Sequence, residues 1–510
     1  MVSKSSFFIA IALFCTGFLS RVFIVEKFQS HWDGPLYSIA VLSYNLTQAT
    51  PPVPGYPFYI GLGKFFNIFF NDPHIALLFI SVIFSGFGAV SIYFFAKNVF
   101  NKTEGIIAAL ILLSSPTFYF FGITTYGYVV LPTIVSLFAL ATYKAYVKKE
   151  KIVLLPSLMF AVSLGFRPQD IFFNLPIFLL FFYHLNWLDR LRSMCFIIVV
   201  NLLWLFPVSQ TIGGFANYLR LLKESSTSGA FPGISLLMKG FGYDIFVLRI
   251  LRGIYLTLGL GLVLLTVYSV FAVMREKIFF RLNRTFIFFV FLMLPNFIFN
   301  IFLRVEHAGY QFAYLIPLIV LVSAVIVKVS KGSKKMIFIL TTIIIVFNLY
   351  TFFRDRDPEF VKPYSPSSFH YSEIRKNDYK MGEKFKYINN HYSPADTIVI
   401  VGTPELFLPV AYHLEKYMIF QFDILTTTDP RFIEVWRFGY NYKFPKVNPR
   451  NKEFLTPKHI KNIILFDDEA VKWNISGNKI VDLGKSTFLS LIDVKEEERF
   501  IYGYQKFQKK

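Results

Sequence analysis

An isolated acidic residue near the N-terminus is the first candidate for chemistry in this sequence. Asp33 lies in the segment His31-Trp32-Asp33-Gly34-Pro35, directly after a long apolar stretch. Gly34 and Pro35 favour a turn that can direct the carboxylate into a cavity, and Trp32 suits stacking on a sugar ring at interfacial depth. Alternatively, Asp33 caps a surface helix that begins near Pro35, which is the commoner role for an Asp at this spacing.

Three arginines that could bind a phosphate lie far from Asp33 in the chain. Arg167 lies between two apolar runs, where its guanidinium could hold a phosphate or simply pair with Asp170 and cap the helix junction. Arg249 and Arg252 are three residues apart and therefore share one face of a helix. Two guanidinium groups on one face suit a lipid phosphate, but arginines near the end of a span also commonly extend towards the head groups.

A further group of charged residues occupies a short loop between two later apolar stretches. Arg304 and His307 could neutralise a phosphate that leaves, and Glu306 could orient them. The alternative is an interfacial charge cluster, with Tyr310 in the aromatic belt of the membrane. Because three charged or titratable groups share one tight turn, the segment favours a functional role.

Two acidic clusters in the C-terminal part suggest a different chemistry. Asp355-Arg356-Asp357 has the Asp-x-Asp form that holds a metal and a sugar nucleotide in many soluble transferases, and Asp467-Asp468-Glu469 follows a short apolar run. No glycine-rich phosphate loop accompanies either cluster in the sequence. We therefore interpret them as a solvated linker and a turn at the end of a strand. The sequence gives no indication of whether a divalent metal is used.

The composition indicates that membrane helices must position these residues. The chain has 510 residues, of which 55% are hydrophobic and 16% are charged, and 63 are Phe. Soluble domains carry about a quarter charged residues, so an ordinary soluble enzyme is excluded and a polytopic membrane protein is indicated. The formal net charge of +20 lies mostly in residues 1–353. A basic excess between spans is typical of cytoplasmic loops rather than of nucleic-acid binding.

Eleven apolar stretches are predicted to cross the membrane as helices. They lie near residues 6–25, 74–96, 105–122, 127–146, 152–166, 170–186, 193–212, 245–273, 285–303, 310–328 and 335–353. Lys and Arg concentrate in alternate loops, which predicts a cytoplasmic N-terminus and an extracytoplasmic C-terminal region.

The sequence thus predicts two domains in a multi-pass protein of the plasma (inner) membrane. Residues 1–353 form a transmembrane domain, whose long first outer loop, 26–73, carries two surface helices near 36–44 and 56–70. Residues 354–510 have a soluble composition and form a small extracytoplasmic α/β domain. Its predicted strands lie near residues 397–401, 462–466 and 488–494.

Several short motifs resemble the GT-C superfamily of membrane glycosyltransferases, which includes protein O-mannosyltransferases and lipid A aminoarabinose transferases. They are Asp33 soon after the first span with surface helices behind it, the turn Pro54-Gly55-Tyr56-Pro57, the segment 165–170, and His307-Ala308-Gly309-Tyr310 with Pro317 in the next span. The resemblance covers residues 1–353. Many members have a paired Asp-Glu in the first loop, where this chain has Asp33-Gly34.

The resemblance implies a glycosyltransferase that moves a sugar from a polyprenyl-phosphate donor to a hydroxyl of a glycan, lipid or protein at the outer membrane face. Asp33 is then the general base, because an acceptor hydroxyl is a weak nucleophile. One base and a basic pocket suffice for a single displacement that inverts the anomeric centre, whereas hydrolases use two facing carboxylates. The candidates for binding the donor phosphate are Arg167, Arg249, Arg252, Arg304 and His307, and those for the sugar are Trp32 and Tyr56.

Two other functions remain open from the sequence. A transporter or flippase of lipid-linked sugars would need polar groups near the middle of several spans, whereas the charges here gather at the predicted outer ends. A non-catalytic membrane subunit would dock partners through the C-terminal domain and would have no cavity beside Asp33.

Overall fold

The computed structural model is mainly helical. It describes residues 3–29, 31–227, 243–276, 283–302, 308–354, 369–421, 435–436, 453–456, 458–472, 478–494, 499–503 and 506–509. The chain divides into two compact units, which are treated separately below. The helical unit comprises Met1–Val25 and Tyr37–Glu373, and the sheet unit comprises Glu26–Leu36 and Ile374–Lys510. The domain boundary predicted after residue 353 stays a prediction.

The helices carry the following bounds. They are α1 (Lys4–Val22), α2 (Asp33–Leu42), α3 (Pro57–Phe70), α4 (Pro73–Val99), α5 (Lys102–Ser114), α6 (Pro116–Gly122), α7 (Leu131–Thr142), α8 (Leu154–Phe166), α9 (Ile171–Tyr183), α10 (Trp187–Gln210), α11 (Phe215–Thr227), α12 (Tyr243–Leu258), α13 (Leu260–Glu276), α14 (Arg284–Phe302), α15 (Phe312–Val329), α16 (Lys334–Phe353), α17 (Tyr371–His391) and α18 (Pro404–His413). Short 3₁₀ helices at Pro168–Asp170 and Ala308–Gln311 adjoin α9 and α15.

Among the described residues, seven helical stretches are long and apolar enough to cross a membrane. Two bent pairs, α5 with α6 and α12 with α13, raise the number to nine if each pair is one span. The protein is therefore an integral membrane protein. Counted by helix length and hydropathy, the spans do not reach the predicted number of eleven. The reason is that α8 and α9 have only 13 residues each, whereas a span needs roughly 20.

The stretch predicted as one continuous span at 245–273 is broken. Gly259 separates α12 from α13, which are bent by 102° relative to each other. Gly259 has a φ of +53°, and a Cβ at this position would overlap the amide oxygen of Asn348. Only glycine adopts this backbone conformation beside Asn348 without strain, so the break follows from one residue that mean hydropathy does not detect.

The long segment after α1 contains two helices close to the predicted positions, α2 and α3. Between them the Tyr44 hydroxyl donates to the carbonyl oxygen of Gly55 at 2.9 Å, and the Tyr218 hydroxyl of α11 donates to that of Pro54 at 3.0 Å. These two hydrogen bonds hold the proline-rich turn that leads into Tyr56. That α2 and α3 lie on a membrane surface stays a prediction.

The sheet unit contains a mixed sheet with α-helices. Its strands are β1 (Thr397–Val401), β2 (Met418–Gln421), β3 (Val435–Trp436), β4 (Glu453–Leu455), β5 (Asn462–Leu465), β6 (Lys479–Asp482), β7 (Phe488–Asp493), β8 (Arg499–Gly503) and β9 (Lys506–Lys509). The larger sheet has the order β3-β2-β1-β5-β7-β6, in which β1 pairs parallel with β2 and β5. The smaller sheet has the order β4-β8-β9. The small C-terminal sheet expected from the apolar runs is thus present.

Candidate functional site

Arg167 is the best-defined candidate in the helical unit. Pro168 disfavours a helical conformation at the preceding residue, and α8 accordingly ends at Phe166 with Arg167 extended, at φ −153° and ψ 90°. The Arg167 side chain is nevertheless only 4% exposed. A guanidinium that is buried at the junction of two apolar helices suggests a functional role.

The Arg167 guanidinium lies between two tyrosine rings and one carboxylate. Its Cζ is 4.3 Å from the ring centre of Tyr310 and 5.6 Å from that of Tyr128. Its Nη1 is 3.5 Å from an Asp170 carboxylate oxygen, and Asp170 is also buried. Nε and Nη2 of Arg167 donate no hydrogen bond within the described part of the chain. The ion pair expected as one alternative is present, but it leaves two buried donors available to an anion.

Gly309 allows the two tyrosines to approach each other. The ring centres of Tyr128 and Tyr310 are 5.1 Å apart, and a Cβ on Gly309 would lie 2.5 Å from Cγ of Tyr128. The Gly309-Tyr310 part of the family-like motif therefore has a physical role. Because Gly309 has no side chain, the Tyr128 ring can lie against the Tyr310 ring in the Arg167 site.

Tyr56 joins this site through the segment that follows Arg167. The Gln169 side-chain amide donates to the Tyr56 hydroxyl at 3.1 Å, and Tyr56 is 7% exposed. The Tyr37 ring packs edge-on against Tyr56 and Tyr59, with both centroid distances 5.3 Å. The structure thus brings together Tyr56 and Arg167, which the sequence placed in one proposed site from positions more than a hundred residues apart.

The two arginines of α12 lie beside the same 3₁₀ helix as Tyr310. The Gln311 side chain donates to the carbonyl oxygen of Arg249 at 3.4 Å, and Gly253 leaves the space that this side chain occupies. Arg249 and Arg252 are both half-buried. Arg167 therefore contacts Tyr310 and α12 contacts Gln311, which are neighbouring residues of the same 3₁₀ helix.

A continuous row of aromatic rings connects Arg252 with Arg167. The Arg252 guanidinium lies 5.0 Å from the ring centre of Phe369. Phe369 is 5.8 Å from Phe121, which is 5.2 Å from Tyr128, the ring beneath Arg167. Sequence reasoning missed Tyr128, because a tyrosine in an apolar run carries no local signal that separates it from the core.

The remaining predicted residues cannot be assigned to this cluster. Asp33 is the first residue of α2 and is half-buried, and Trp32 is 41% exposed. Both belong to the sheet unit. Arg304 and His307 lie outside the described residues. The alternative role of Asp33 at the start of a helix is consistent with its position in α2.

Arg21 is a buried charge that the sequence reasoning overlooked. It is fully buried in α1, and its Nη2 donates to the carbonyl oxygen of Leu113 at 2.9 Å, while Nη1 donates to the Ser20 hydroxyl at 2.8 Å. Its Cζ is 4.1 Å from the Tyr119 ring centre. Because Leu113 lies in the last turn of α5, Arg21 caps the end of a broken span. Its charge within an apolar helix was the signal available.

The acidic turn after β5 is occupied by internal contacts. Asp467 accepts hydrogen bonds from the backbone N–H groups of Gly402 and Thr403. Asp468 binds Nζ of Lys380 at 2.5 Å and Nζ of Lys384 at 2.8 Å. Burial raises the pKa of Asp468, but the hydrogen bonds from these lysines outweigh it and hold the pKa below its ordinary value.

No group of three or more His, Cys, Asp and Glu side chains that could hold a metal ion occurs among the residues the structure describes. The contacts of Asp467 and Asp468 agree with the interpretation as a strand-end turn. The other acidic cluster, 355–357, lies outside the described residues.

Comparison with known proteins gives one match in sequence and a match in fold. Residues 50–212 match the dolichyl-phosphate-mannose-protein mannosyltransferase family. No curated protein matches the chain in sequence.

The fold is similar to that of ArnT from Cupriavidus metallidurans. The structure of ArnT bound to undecaprenyl phosphate has a TM-score of 0.56 and 10% identity over 96% of this chain and 97% of that one. The apo structure of the same protein gives a TM-score of 0.54 and 11% identity, also over 96% and 97% of the two chains. At 10–11% identity these two structures show similarity in fold alone. Together with the match of residues 50–212, they agree with the resemblance that the short motifs indicated.

Proposed function

We propose that this chain, which resembles the GT-C membrane glycosyltransferases in sequence and fold, transfers a sugar from a polyprenyl-phosphate donor to an acceptor hydroxyl. The reaction would take place at the outer face of the plasma membrane, with the N-terminus cytoplasmic and the C-terminal part extracytoplasmic. The acceptor would be a glycan, a lipid or a protein.

The single observation that carries this proposal is the buried Arg167 with two available donors. Buried polar groups are normally hydrogen-bonded, and an unsatisfied one points to a missing ion, water or ligand. A guanidinium presents paired N–H groups that match two oxygens of a phosphate. Since α8 and α9 are apolar helices on either side of it, a phosphate attached to a lipid is the anion best suited to this place.

The chemistry needs one base and several cations. The acceptor oxygen attacks the anomeric carbon and forms the new glycosidic bond, and its proton passes to the Asp33 carboxylate. The bond between the anomeric carbon and the phosphate oxygen breaks, and the negative charge remains on the lipid phosphate. Arg167, Arg249 and Arg252 would stabilise that charge, together with Arg304 and His307. Attack from the face opposite the leaving group inverts the anomeric centre.

The assignment of Asp33 rests on its chemistry and on the motif resemblance. It is the first residue of α2 and is half-buried, and a carboxylate is the side chain suited to take a proton from an acceptor hydroxyl. Trp32 precedes the acid and is exposed, so that its ring is available to a sugar. Tyr56 is the second residue that we propose for binding the sugar.

The similarity to ArnT supports the lipid part of the proposal. That protein was captured with undecaprenyl phosphate, and the family matched by residues 50–212 is named for a dolichyl-phosphate-mannose donor. Undecaprenyl-phosphate-mannose is therefore the first probe to use as a donor.

The deciding experiment replaces Asp33 with Asn in the purified full-length protein. When the natural acceptor is not supplied, water takes its place: a water oxygen attacks the anomeric carbon, its proton passes to Asp33, and undecaprenyl phosphate is released. Release of undecaprenyl phosphate from undecaprenyl-phosphate-mannose therefore reports donor cleavage without knowledge of the acceptor, and a small panel of other sugars on the same lipid extends the probe. Loss of a general base lowers kcat by about 100-fold or more, with donor affinity retained. Glu415→Gln, which neutralises an exposed acid of the same unit, should be fully active. Full activity of folded Asp33→Asn would remove this mechanism.

One observation favours a transporter of lipid-linked sugars as a second candidate. Transporters place their sites at broken helices, and the two bent pairs of this chain meet at their breaks. The Ser115 hydroxyl, between α5 and α6, donates to the carbonyl oxygen of Leu256 in α12 at 3.3 Å. The Thr257 hydroxyl donates to the side-chain hydroxyl oxygen of Thr117 at 3.2 Å. Net movement of the labelled donor across liposomes without cleavage would support this candidate.

A further inference from the structure

A short segment before Asp33 is bound to α17, although α17 lies about 350 residues later in the chain. One carboxylate oxygen of Asp378 accepts hydrogen bonds from the backbone N–H groups of Lys27 at 2.8 Å and Phe28 at 3.0 Å. The other oxygen pairs with Nη2 of Arg375 at 3.0 Å. Asp378 is only 6% exposed, so these bonds are protected from water and form a defined anchor.

The Phe28 ring adds an apolar contact to this anchor. It packs against Phe385 and His413, with centroid distances of 5.4 Å and 5.2 Å. Gly382 lies beneath it, where a Cβ would be 3.1 Å from the ring. Asp378, Gly382 and Phe385 are spaced four and three residues apart, so they form one face of α17. This face receives the backbone at residues 27–28.

The anchored segment is the one that carries Asp33. Residues Glu26–Leu36 form a compact unit with α17 and the sheet. Glu26 and Gln29 are both buried, at 2% and 0% exposure, although they lie in no helix or strand. Only four residues lie between Phe28 and Asp33, so a backbone that is fixed at residue 28 limits the positions that Asp33 can reach.

We propose that Asp378 is a positioning residue, which sets the place of the Asp33 carboxylate by binding the backbone at Lys27 and Phe28. This inference rests on the proposed function for Asp33 and gives the C-terminal part of the chain a role in the reaction. Asp378 touches neither donor nor acceptor. Its effect should therefore appear in kcat and not in donor binding, since the proposed phosphate-binding arginines belong to the helical unit.

The test compares Asp378→Ala, Asp378→Asn and Gly382→Val in the full-length protein. Asp378→Ala removes the acceptor of both amides. Asp378→Asn keeps one carbonyl acceptor but loses the partner of Arg375, so it should lie between Asp378→Ala and the natural protein. Gly382→Val displaces the Phe28 ring without changing any charge. Asp468→Asn is the matched control, because it removes ion pairs of Lys380 and Lys384 on the same helix without touching residues 27–28.

Two readouts are needed. Hydrogen exchange of the Lys27 and Phe28 amides should accelerate at least tenfold in Asp378→Ala and Gly382→Val, and should be unchanged in Asp468→Asn. In the donor-cleavage assay, kcat should fall about 10- to 100-fold in Asp378→Ala and Gly382→Val, as expected for a misplaced catalytic group. The KM for undecaprenyl-phosphate-mannose should stay within twofold.

The outcomes separate this inference from the proposed function. Unchanged exchange at Lys27 and Phe28 in Asp378→Ala overturns the anchor, whatever the activity. Accelerated exchange with unchanged kcat, in a protein that Asp33→Asn inactivates, overturns the positioning role. If Asp33→Asn is itself fully active, the proposed base is wrong and the catalytic half of this inference is wrong with it, while the exchange result still decides the anchor.

Discussion

The Arg167 site gives the most direct prediction for binding. Removing the guanidinium alone would leave Asp170 charged and buried, and breaking a buried ion pair in this way costs about 3–5 kcal/mol of stability. The informative variant is therefore the double substitution Arg167→Met with Asp170→Asn. It removes the cation and leaves no unpaired carboxylate in the apolar junction.

The magnitude follows from the two donors that Arg167 keeps available. Nε and Nη2 make no hydrogen bond among the described residues, and each hydrogen bond to a charged group contributes about 1.5–3 kcal/mol. After the loss of bound water, we expect two such bonds to phosphate to contribute about 3 kcal/mol. This corresponds to a Kd for undecaprenyl phosphate that is weaker by on the order of 100-fold. Arg167→Lys keeps the charge but loses the paired geometry, and about tenfold is expected.

The assay is equilibrium binding of undecaprenyl phosphate to the purified protein in lipid nanodiscs. Arg192→Gln is the control, because the Arg192 side chain is 69% exposed and pairs only with Asp189 among the described residues. It should bind as the natural protein does. If the folded double variant binds undecaprenyl phosphate as tightly as the natural protein, Arg167 is a structural ion-pair partner and the reasoning from its open donors is wrong.

Two predictions concern stability. Gly259→Val should lower the melting temperature, since left-handed backbone strain and overlap with Asn348 together cost about 2–4 kcal/mol. Gly61→Ala is the control, because a Cβ at position 61 meets no atom within 4 Å. Equal melting temperatures of the two variants would argue against the break at Gly259. The pKa of Asp468 lies below its ordinary value, so its stabilising contribution is present above about pH 4 and is lost as the pH falls below that value. Asp468→Asn should therefore melt at a lower temperature at pH 7 and lose less stability in acid, and an acid response identical to that of the natural protein would contradict the assignment.

The apolar stretches were readable from the sequence, because they depend on neighbouring residues. α4 begins at Pro73 and α5 at Lys102, close to the predicted 74 and 105, and Asp72 and Asn101, which the sequence analysis did not single out, accept from backbone N–H groups two residues on. The break at Gly259 was not readable, because the apolar character continues on both sides of it. It depends on Asn348, which is distant in the chain.

The candidate site was readable only in part. Arg167 stands out as a charge between apolar runs, and Pro168 predicts the end of α8. The two rings next to the guanidinium, those of Tyr128 and Tyr310, come from other parts of the chain. A single sequence gives no signal that these residues contact Arg167. The anchor at Asp378 is the extreme case, since its partners at Lys27 and Phe28 are separated from it by about 350 residues.

The long-range contact of Asp378 has a consequence for biogenesis. A ribosome adds about 5–20 residues per second, so roughly half a minute passes between the emergence of Phe28 and that of its docking helix. During translation, residues 27–28 must therefore remain without the Asp378 anchor until α17 has been synthesised. Chains that are truncated before α17, or stalled during synthesis, would lack this anchor altogether.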